Sequence, residues 1–268
     1  MPKNWKNIAK KTALGLLLAV VLIGAYILGS GQRSQTRCAW VDIRIEDSLQ
    51  TPFVTSKKVK QYLAQEYGRL VGTPMDSIDL SKIENILNSK ASIINSNAYK
   101  TSTGSLTIMI TQRKPVVKFD AGDYGFYCDS EGYLLPLEPD FSGETLVVDG
   151  NIPLDTADCR RGAPVDPEDC RWLEEIVAMA GHINGSDIWK KRIAQITCNA
   201  SGELTILPKE GREVFLFGRP EDIGQKFEKM QMYYERIVAD KGENAYNVVD
   251  LRYEKQIICK DTEQKKKK

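Results

Sequence analysis

The sequence predicts an α+β protein with a single N-terminal transmembrane helix, a β-α-α-β-β domain and a larger, strand-rich β domain with packed helices. Three observations indicate this class: a long apolar run near the N-terminus, a hydrophobic period that changes from strand-like to helical and back over residues 39–112, and many short alternating segments after that. A hydrophobic content of 42% and a charged content of 27% in 268 residues are ordinary for globular domains with a proper core.

The apolar run, residues 12–32, contains no charged side chain over its 21 residues. At about 1.5 Å per residue, a helix of this length spans roughly 30 Å of hydrocarbon, which is enough for one membrane crossing. Only Arg33 and Arg37 follow the run closely, whereas four basic residues precede it: Lys3, Lys6, Lys10 and Lys11. The positive-inside rule therefore predicts a cytoplasmic tail at residues 1–11 and an extracytoplasmic location for the bulk of the chain.

A cleaved signal peptide is the alternative interpretation of this run. Gly29 and Gly31 could provide the small residues of a cleavage site. The apolar part of a signal peptide is usually about 7–15 residues long, which is shorter than the run found here. The length therefore favours a retained anchor.

The first domain outside the membrane is predicted at residues 39–115. Its helices are indicated by Thr55, a candidate N-cap before apolar residues at helical spacing, and by a second apolar stripe that follows Pro74. Its strands are indicated by period-two patterns at residues 39–46, 92–101 and 105–112. The predicted order is therefore β-α-α-β-β.

The second domain is predicted at residues 116–260. Segment 113–119 carries the chain out of the first domain, and Pro115 is unsuited to a central strand position. Residues 151–167 are predicted to form a loop that leads into a helix beginning at Asp166 and Pro167. Short strands are predicted at 124–129, 131–137, 144–150, 194–199, 203–207 and 213–217.

The last helix is predicted at residues 220–239, where apolar residues are spaced by four and three: Ile223, Phe227, Met230, Tyr234 and Ile237. A coiled-coil seam is the alternative, but the run is shorter than three heptads, which favours a face packed on the core. The stretch VVDLRYEKQIICK, residues 248–260, is predicted to form the final strand, with Val249 and Leu251 in the core. Residues 261–268 form a basic tail that we expect to be disordered.

Charge and residue types argue against several functions. The 37 basic and 36 acidic residues leave a formal net charge of +1, so no global field attracts nucleic acid. His182 is the only histidine, no C-x-x-C is present, and no glycine-rich phosphate loop follows a predicted strand. We therefore predict no catalytic residues, no metal, no cofactor and no small-molecule substrate, and hence a protein that is not an enzyme.

The six cysteines allow two interpretations. In an extracytoplasmic domain they predict disulfides, with fifteen possible complete pairings. Alternatively they are unpaired, since Cys198 and Cys259 lie in apolar strand-like segments as small buried residues do. The sequence leaves both possibilities open.

Four stretches occur in order along the predicted extracytoplasmic part: QRKPVV at 112–117, YCDSEGY at 127–133, GREVFLFG at 211–218, and VDLRY at 249–253. Together with the predicted topology they resemble the FtsQ/DivIB family of bacterial cell-division proteins. The first stretch is similar to the motif E-R-x-P-V-A of that family, with Gln112 for Glu and Val117 for Ala, and the last is similar to I-D-L-R-[YF]. The resemblance covers nearly the whole chain.

The resemblance implies that residues 39–115 form a POTRA domain and that the protein is a bitopic, non-enzymatic divisome scaffold of the cell inner membrane, located at the division septum. Its principal partner would be similar to the FtsB/FtsL pair, a membrane-anchored coiled coil whose extracytoplasmic segment adds to the edge of the C-terminal sheet. The residues themselves agree with this, because an anchored chain without a catalytic site needs a binding surface and an open strand edge offers one.

The predicted partner-binding residues lie at and after the end of VDLRY: Arg252, Tyr253, Glu254, Lys255, Gln256, Ile257 and Ile258. We expect Tyr253 to be an aromatic anchor, Arg252 to make an ion pair or hydrogen bond, and the backbone of residues 254–258 to accept an added strand. A second docking surface is expected along the strand at 92–101.

Two other functions are considered. A POTRA-bearing outer-membrane assembly or secretion factor would share the β-α-α-β-β unit, but repeated units or barrel strands would accompany it, and only one unit is evident. A membrane-anchored envelope hydrolase would require clustered titratable groups in a pocket, which the sequence does not indicate.

Overall fold

A computed structural model describes residues 14–26, 36–46 and 52–261. The described residues form two compact units. The first comprises the described residues up to 46 together with Val54–Gln112, and the second comprises residues 52–53 and 113–261. The predicted tail at 1–11 and, except for Asp261, the predicted tail at 261–268 lie outside the described residues.

The N-terminal helix α1 occupies residues 14–26. Within the described part of the chain, no helix has both the length and the apolar character needed to cross a membrane. The ends of the predicted span, residues 12–13 and 27–32, lie outside the described ranges.

The first unit has the predicted β-α-α-β-β order. Its elements are β1 (Trp40–Ile45), α2 (Ser56–Glu66), α3 (Leu80–Asn88), β2 (Ile93–Lys100) and β3 (Ser105–Gln112), with a 3-10 turn at Met75–Ser77. The three strands form a sheet in the order β1-β3-β2, in which β1 is parallel and β2 antiparallel to β3.

Helix starts in the first unit are fixed by short polar side chains. Thr55 accepts a hydrogen bond from the backbone N–H of Lys58 at 3.3 Å, as its N-cap prediction requires. Asp79 does the same for Lys82 at 3.0 Å. The two helices then pack on one face of the sheet, where the fully buried residues include Val59, Leu63, Ile83, Leu87, Leu106, Ile108 and Ile110. Burying each of these side chains stabilises the fold by about 1.5–3 kcal/mol.

The second unit is built on a nine-stranded mixed sheet in the order β12-β11-β10-β9-β8-β7-β4-β5-β6. Its strands are β4 (Pro115–Asp120), β5 (Gly125–Asp129), β6 (Leu134–Pro136), β7 (Leu146–Gly150), β8 (Ile193–Cys198), β9 (Leu204–Pro208), β10 (Val214–Gly218), β11 (Val248–Asp250) and β12 (Ile258–Lys260). The parallel pairs are β4–β7, β7–β8 and β10–β11. The β7–β8 and β10–β11 connections contain helices, which parallel neighbours require because a tight hairpin cannot join them.

The helices of this unit are α4 (Thr156–Arg161), α5 (Pro167–Asn184), α6 (Trp189–Arg192), α7 (Ile223–Met232), a π-helical segment (Tyr233–Val238) and α8 (Ala239–Lys241). Helix α5 begins as predicted, with Asp166 as N-cap and Pro167 in its first turn. The core between helices and sheet includes Phe119, Trp172, Phe215, Phe227 and Leu251.

Two segments in the first half of the second unit differ from prediction. Residues 113–119 do not merely leave the first domain, since most of them form β4, which lies between β7 and β5. Pro115 is compatible with this position because it is the first residue of the strand and pairs only with β5, at Asp129. The predicted loop at 151–167 contains α4, whose start is fixed by a capping box between Asp155 and Asp158.

The last helix also differs from the predicted continuous helix at 220–239. It begins at Ile223 and changes to π-helical geometry at Tyr233. The predicted core face is confirmed at Phe227 and Met230, which are fully buried. The wider π turn shifts the phase, so that Tyr233 is the fully buried tyrosine and Tyr234 is only partly buried.

The single strand predicted at 248–260 is wrong. The stretch forms two short antiparallel strands, β11 and β12, with a non-strand connection at residues 251–257. The five residues from Arg252 to Gln256 are all exposed, so none of them packs in the core and the strand is interrupted there. Val249 and Leu251 are both fully buried, as predicted.

Candidate partner-binding edge

Strand β12 forms one edge of the nine-stranded sheet, and no strand of the described ranges lies beyond it. Leu251, the residue after β11, donates its backbone N–H to the carbonyl of Leu216 in β10 at 3.0 Å. Backbone direction alternates along a strand, so Val249 also directs its backbone groups towards β10. Val248 and Asp250 therefore face β12, where they pair with Lys260 and Ile258. By alternation the backbone N–H and C=O of Cys259 point away from the sheet. An extended segment could pair there.

The predicted site residues lie mostly before this edge. Arg252–Gln256 are exposed in the connection between β11 and β12, and Ile257 ends it, half-buried against the core. Only Ile258 belongs to β12. Tyr253 has 48% of its surface exposed, which is high for an aromatic side chain. The structure therefore places the predicted residues together in one turn beside the sheet edge.

Arg252 is held by Asp250. Its Nε and Nη2 atoms donate to the two carboxylate oxygens of Asp250 at 2.9 and 2.7 Å, and its backbone N–H donates to the same group at 3.2 Å. These hydrogen bonds lower the pKa of Asp250, which is 1% exposed, and raise that of Arg252. The guanidinium is thus engaged within the chain, with a longer contact of 3.9 Å to Glu203.

The turn is held from the other side by Lys229 of α7. Its Nζ donates to the carbonyl oxygens of Leu251 at 3.1 Å and Tyr253 at 2.6 Å, while the side chain itself is 7% exposed. Charge-assisted hydrogen bonds shielded from water are stronger than neutral ones. The backbone on both sides of Arg252 is therefore fixed.

Sequence reasoning missed Lys229 and Cys259. In the last helix, Lys229 directly precedes Met230, a residue of the apolar face. A lysine next to core positions is the sequence feature that could have indicated a buried, hydrogen-bonded cation. Gly218 is the last residue of the GREVFLFG stretch. It has a φ of +76°, and a Cβ there would lie 2.8 Å from Cγ of Arg252, so glycine leaves room for the arginine.

The first two motif stretches meet in space. Arg113 donates to the Oδ2 of Asp129 at 2.6 Å and lies 3.8 Å from the ring centre of Tyr133. Asp129 also accepts from the backbone N–H groups of Glu131 and Tyr133, at 3.0 and 2.8 Å. These contacts fix the β5–β6 turn at the opposite edge of the sheet.

A second polar cluster lies beside the π-helical segment. Tyr234 donates to the Oε1 of Glu213 at 3.0 Å, and Arg192 lies 4.2 Å from the centre of the tyrosine ring. Burial is the main reason why the pKa of Tyr234 is raised, and the nearby Glu213 raises it further. A cavity of about 380 Å³ adjoins the cluster. Glu213 is 5% exposed, and the hydroxyl of Tyr234 gives its carboxylate the hydrogen bond that a buried polar group requires.

All six cysteines carry free thiols. Cys38, Cys128 and Cys198 are buried, and burial raises the pKa of each. The structure supports the interpretation that the cysteines are unpaired, with Cys198 buried as expected and Cys259 only half-buried.

Comparison with known families matches both units. Residues 36–111 match a POTRA-like domain, and residues 114–260 match the family described as FtsQ/DivIB, C-terminal related. No curated protein matches the chain. The second match covers more than half of the sequence. It corrects the resemblance to FtsQ/DivIB, because the matched family is related to FtsQ/DivIB and is not FtsQ/DivIB itself. The chain therefore belongs to the FtsQ/DivIB C-terminal-related family, with a POTRA-like domain preceding the family region.

Proposed function

We propose that this protein is a membrane-anchored, non-enzymatic scaffold of bacterial cell division that binds another division protein by strand addition at β12. The family match suggests a role related to cell division, and domains of this kind are typically non-catalytic. In this proposal residues 12–32 anchor the chain in the inner membrane, with the N-terminus in the cytoplasm and both units outside it at the septum.

The observation that carries the proposal is the open β12 edge beside a turn that is already fixed. An edge strand exposes unpaired N–H and C=O groups to an incoming segment. Because Lys229 and Asp250 hold the adjoining turn, little conformational entropy remains to be lost there when a partner binds. Ile258 pairs with β11, so the backbone groups of its two neighbours, Ile257 and Cys259, face away from the sheet. We assign the hydrogen bonds to the partner strand to the backbone N–H and C=O groups of these two residues.

The side chains of the turn have different roles in the proposal. Tyr253 is the aromatic anchor because its ring is exposed. Arg252 positions the turn, since its guanidinium is engaged by Asp250. Glu254, Lys255 and Gln256 form an exposed polar border that can select a partner by charge. A partner similar to the FtsB/FtsL coiled coil, with an extended segment after its helix, fits these features.

A proline substitution tests strand addition directly. Cys259→Pro removes the outward N–H, which β11 does not use, so the pairing within the sheet is retained. We expect this variant to lose the division partner in co-purification and to give filamentous cells. Cys259→Ala, which keeps the N–H, is the matched control and should divide normally.

Crosslinking provides a second measurement. A photoreactive residue at Gln256 or Lys260 should capture an FtsB/FtsL-like protein in living cells, whereas one at Leu137, just after β6 at the opposite edge, should not. Normal division by Cys259→Pro, together with no capture at either β12 position, would refute the proposal. Depletion that alters cell shape without filamentation would favour a different functional class.

A further inference from the structure

The sheet of the first unit has two outer strands, β1 and β2, and β2 is the less open of them. The N–H of Ala98 points away from β3 and donates to the Oε1 of Glu84 at 2.8 Å. Ser96, two residues earlier, donates through its hydroxyl to Asn88 at 2.8 Å. Helix α3 thus covers the outer side of β2, the strand predicted from the sequence as a second docking surface.

The outer side of β1 is different. Glu46 N–H donates to the carbonyl of Ile110 at 2.9 Å, so the even-numbered residues of β1 direct their backbone towards β3. By alternation, the backbone groups of Val41, Ile43 and Ile45 point away from the sheet. No hydrogen bond from the described residues reaches them on that side. The segment at 72–75 pairs only with residues 36–38, just before the strand begins.

A groove of about 400 Å³ runs between the start of β1 and α2. Leu63, Ala64 and Leu70 provide apolar lining, and the exposed fraction is 53% for Trp40 and 45% for Val71. The lining residues include two cations, Lys60 and Arg69, and no acidic side chain. The nearest acidic residue along β1, Asp42, is paired with Arg44 at 2.9 Å. The groove therefore favours an apolar ligand with negative charge.

We propose that the β1 edge of the POTRA-like unit binds an extended segment of a partner protein in which an apolar residue is flanked, two positions away on each side, by acidic residues. Residues two apart in a strand share one face, so all three side chains would face α2. The apolar one contacts Leu63 and Ala64, and the acidic ones approach Lys60 and Arg69. The backbone of the segment pairs with Val41, Ile43 and Ile45. This surface is separate from β12 and does not depend on the function proposed for it.

A fluorescent seven-residue peptide, Ser-Glu-Thr-Val-Thr-Glu-Thr with blocked ends, is a suitable probe for anisotropy titration against the full-length protein. Exchange of both glutamates for lysine should weaken binding at least about tenfold. N-methylation removes the N–H groups of the peptide that would pair with β1. If the peptide lies antiparallel to β1, these belong to positions 2, 4 and 6, and methylation there should abolish binding. If it lies parallel, they belong to positions 3 and 5, and methylation at those two positions should abolish it. Loss with both methylated peptides or with neither, or an absence of binding by the parent peptide, overturns the proposal.

Charge reversal on α2 tests the groove. Lys60→Glu should weaken binding about fivefold. Lys57→Glu is the matched control, because Lys57 is an exposed residue of the same helix that does not line the groove, and it should stay within about twofold of the parent. Equal effects of the two substitutions contradict the assignment. A concentration-dependent dimer that Lys60→Glu disrupts would instead identify a second copy of this chain as the occupant.

Discussion

The Nζ atom of Lys229 lies 2.6 Å from the carbonyl oxygen of Tyr253 and 3.1 Å from that of Leu251. One buried cation thereby joins α7 to the turn that precedes the sheet edge. The turn at residues 252–257 is thus stabilised by a helical residue, Lys229, that is 22 residues away in sequence from Leu251.

Lys229→Met tests this contact, because methionine fills similar space and donates no hydrogen bond. We expect the free energy of unfolding to fall by about 1–3 kcal/mol and the amides of residues 252–257 to exchange faster with solvent. Lys226→Met is the control: Lys226 is equally buried and donates to Arg219 at 2.7 Å, away from the turn. It should destabilise the unit without a selective effect on that turn. Unchanged exchange in Lys229→Met would show that the lysine does not hold the turn.

Asp250→Asn should make stability depend less on acidic pH. The pKa of Asp250 is lowered in the folded state, so its carboxylate stabilises the fold above the unfolded value of about 3.9, and this stabilisation is lost as pH falls through the lower folded value. We expect urea unfolding at pH 7 to show a loss of about 1–3 kcal/mol, and the difference from the parent to shrink below about pH 4. Asp240→Asn, at an exposed ion pair with Lys241, should have little effect at either pH. If the difference in unfolding free energy between Asp250→Asn and the parent stayed constant from pH 7 to below about pH 4, ionisation of Asp250 would not contribute to stability as proposed.

Tyr233→Phe should reduce the loss of stability in alkali. Burial raises the pKa of Tyr233 to about 12, whereas an unfolded tyrosine titrates near about 10. The unfolded chain therefore releases this proton first, and stability falls as pH rises from about 10 to 12. Removal of the hydroxyl should flatten that decline in unfolding curves. A decline as steep in Tyr233→Phe as in the parent would argue against the assignment.

Gly150→Ala should destabilise the pairing of β7 with β8. Gly150 has a φ of +93°, and a Cβ there would lie 2.3 Å from the carbonyl oxygen of Cys198, its partner in the sheet. We expect a loss of more than about 1 kcal/mol from both strain and the forced shift of the backbone. Gly122→Ala separates the two causes, since Gly122 has a φ of +83° but nothing within 4 Å of the added carbon. Equal losses in the two variants would leave no role for the contact with Cys198.

Local patterns were sufficient for much of the fold. The cap at Thr55, the start of α5 at Asp166 and the burial of Val249 and Leu251 follow from short-range hydrogen bonds and hydrophobic period, which a sequence displays directly. The site at residues 252–258 stays a prediction, which rests on the resemblance of VDLRY at 249–253 to a family motif and on the expectation of an open strand edge there.

By itself, the sequence determined the β-α-α-β-β order, the strand-rich second unit and the core residues around the final motif. Only the tertiary structure decided that β4 is a strand within the sheet, that the last strand is broken, and that Cys259 carries the outward backbone groups. It also decided that Lys229 is buried. The physical reason is that these features depend on pairing register and on hydrogen bonds between distant residues. A buried cation or an open strand edge is defined by its neighbours in space, which local periodicity does not specify.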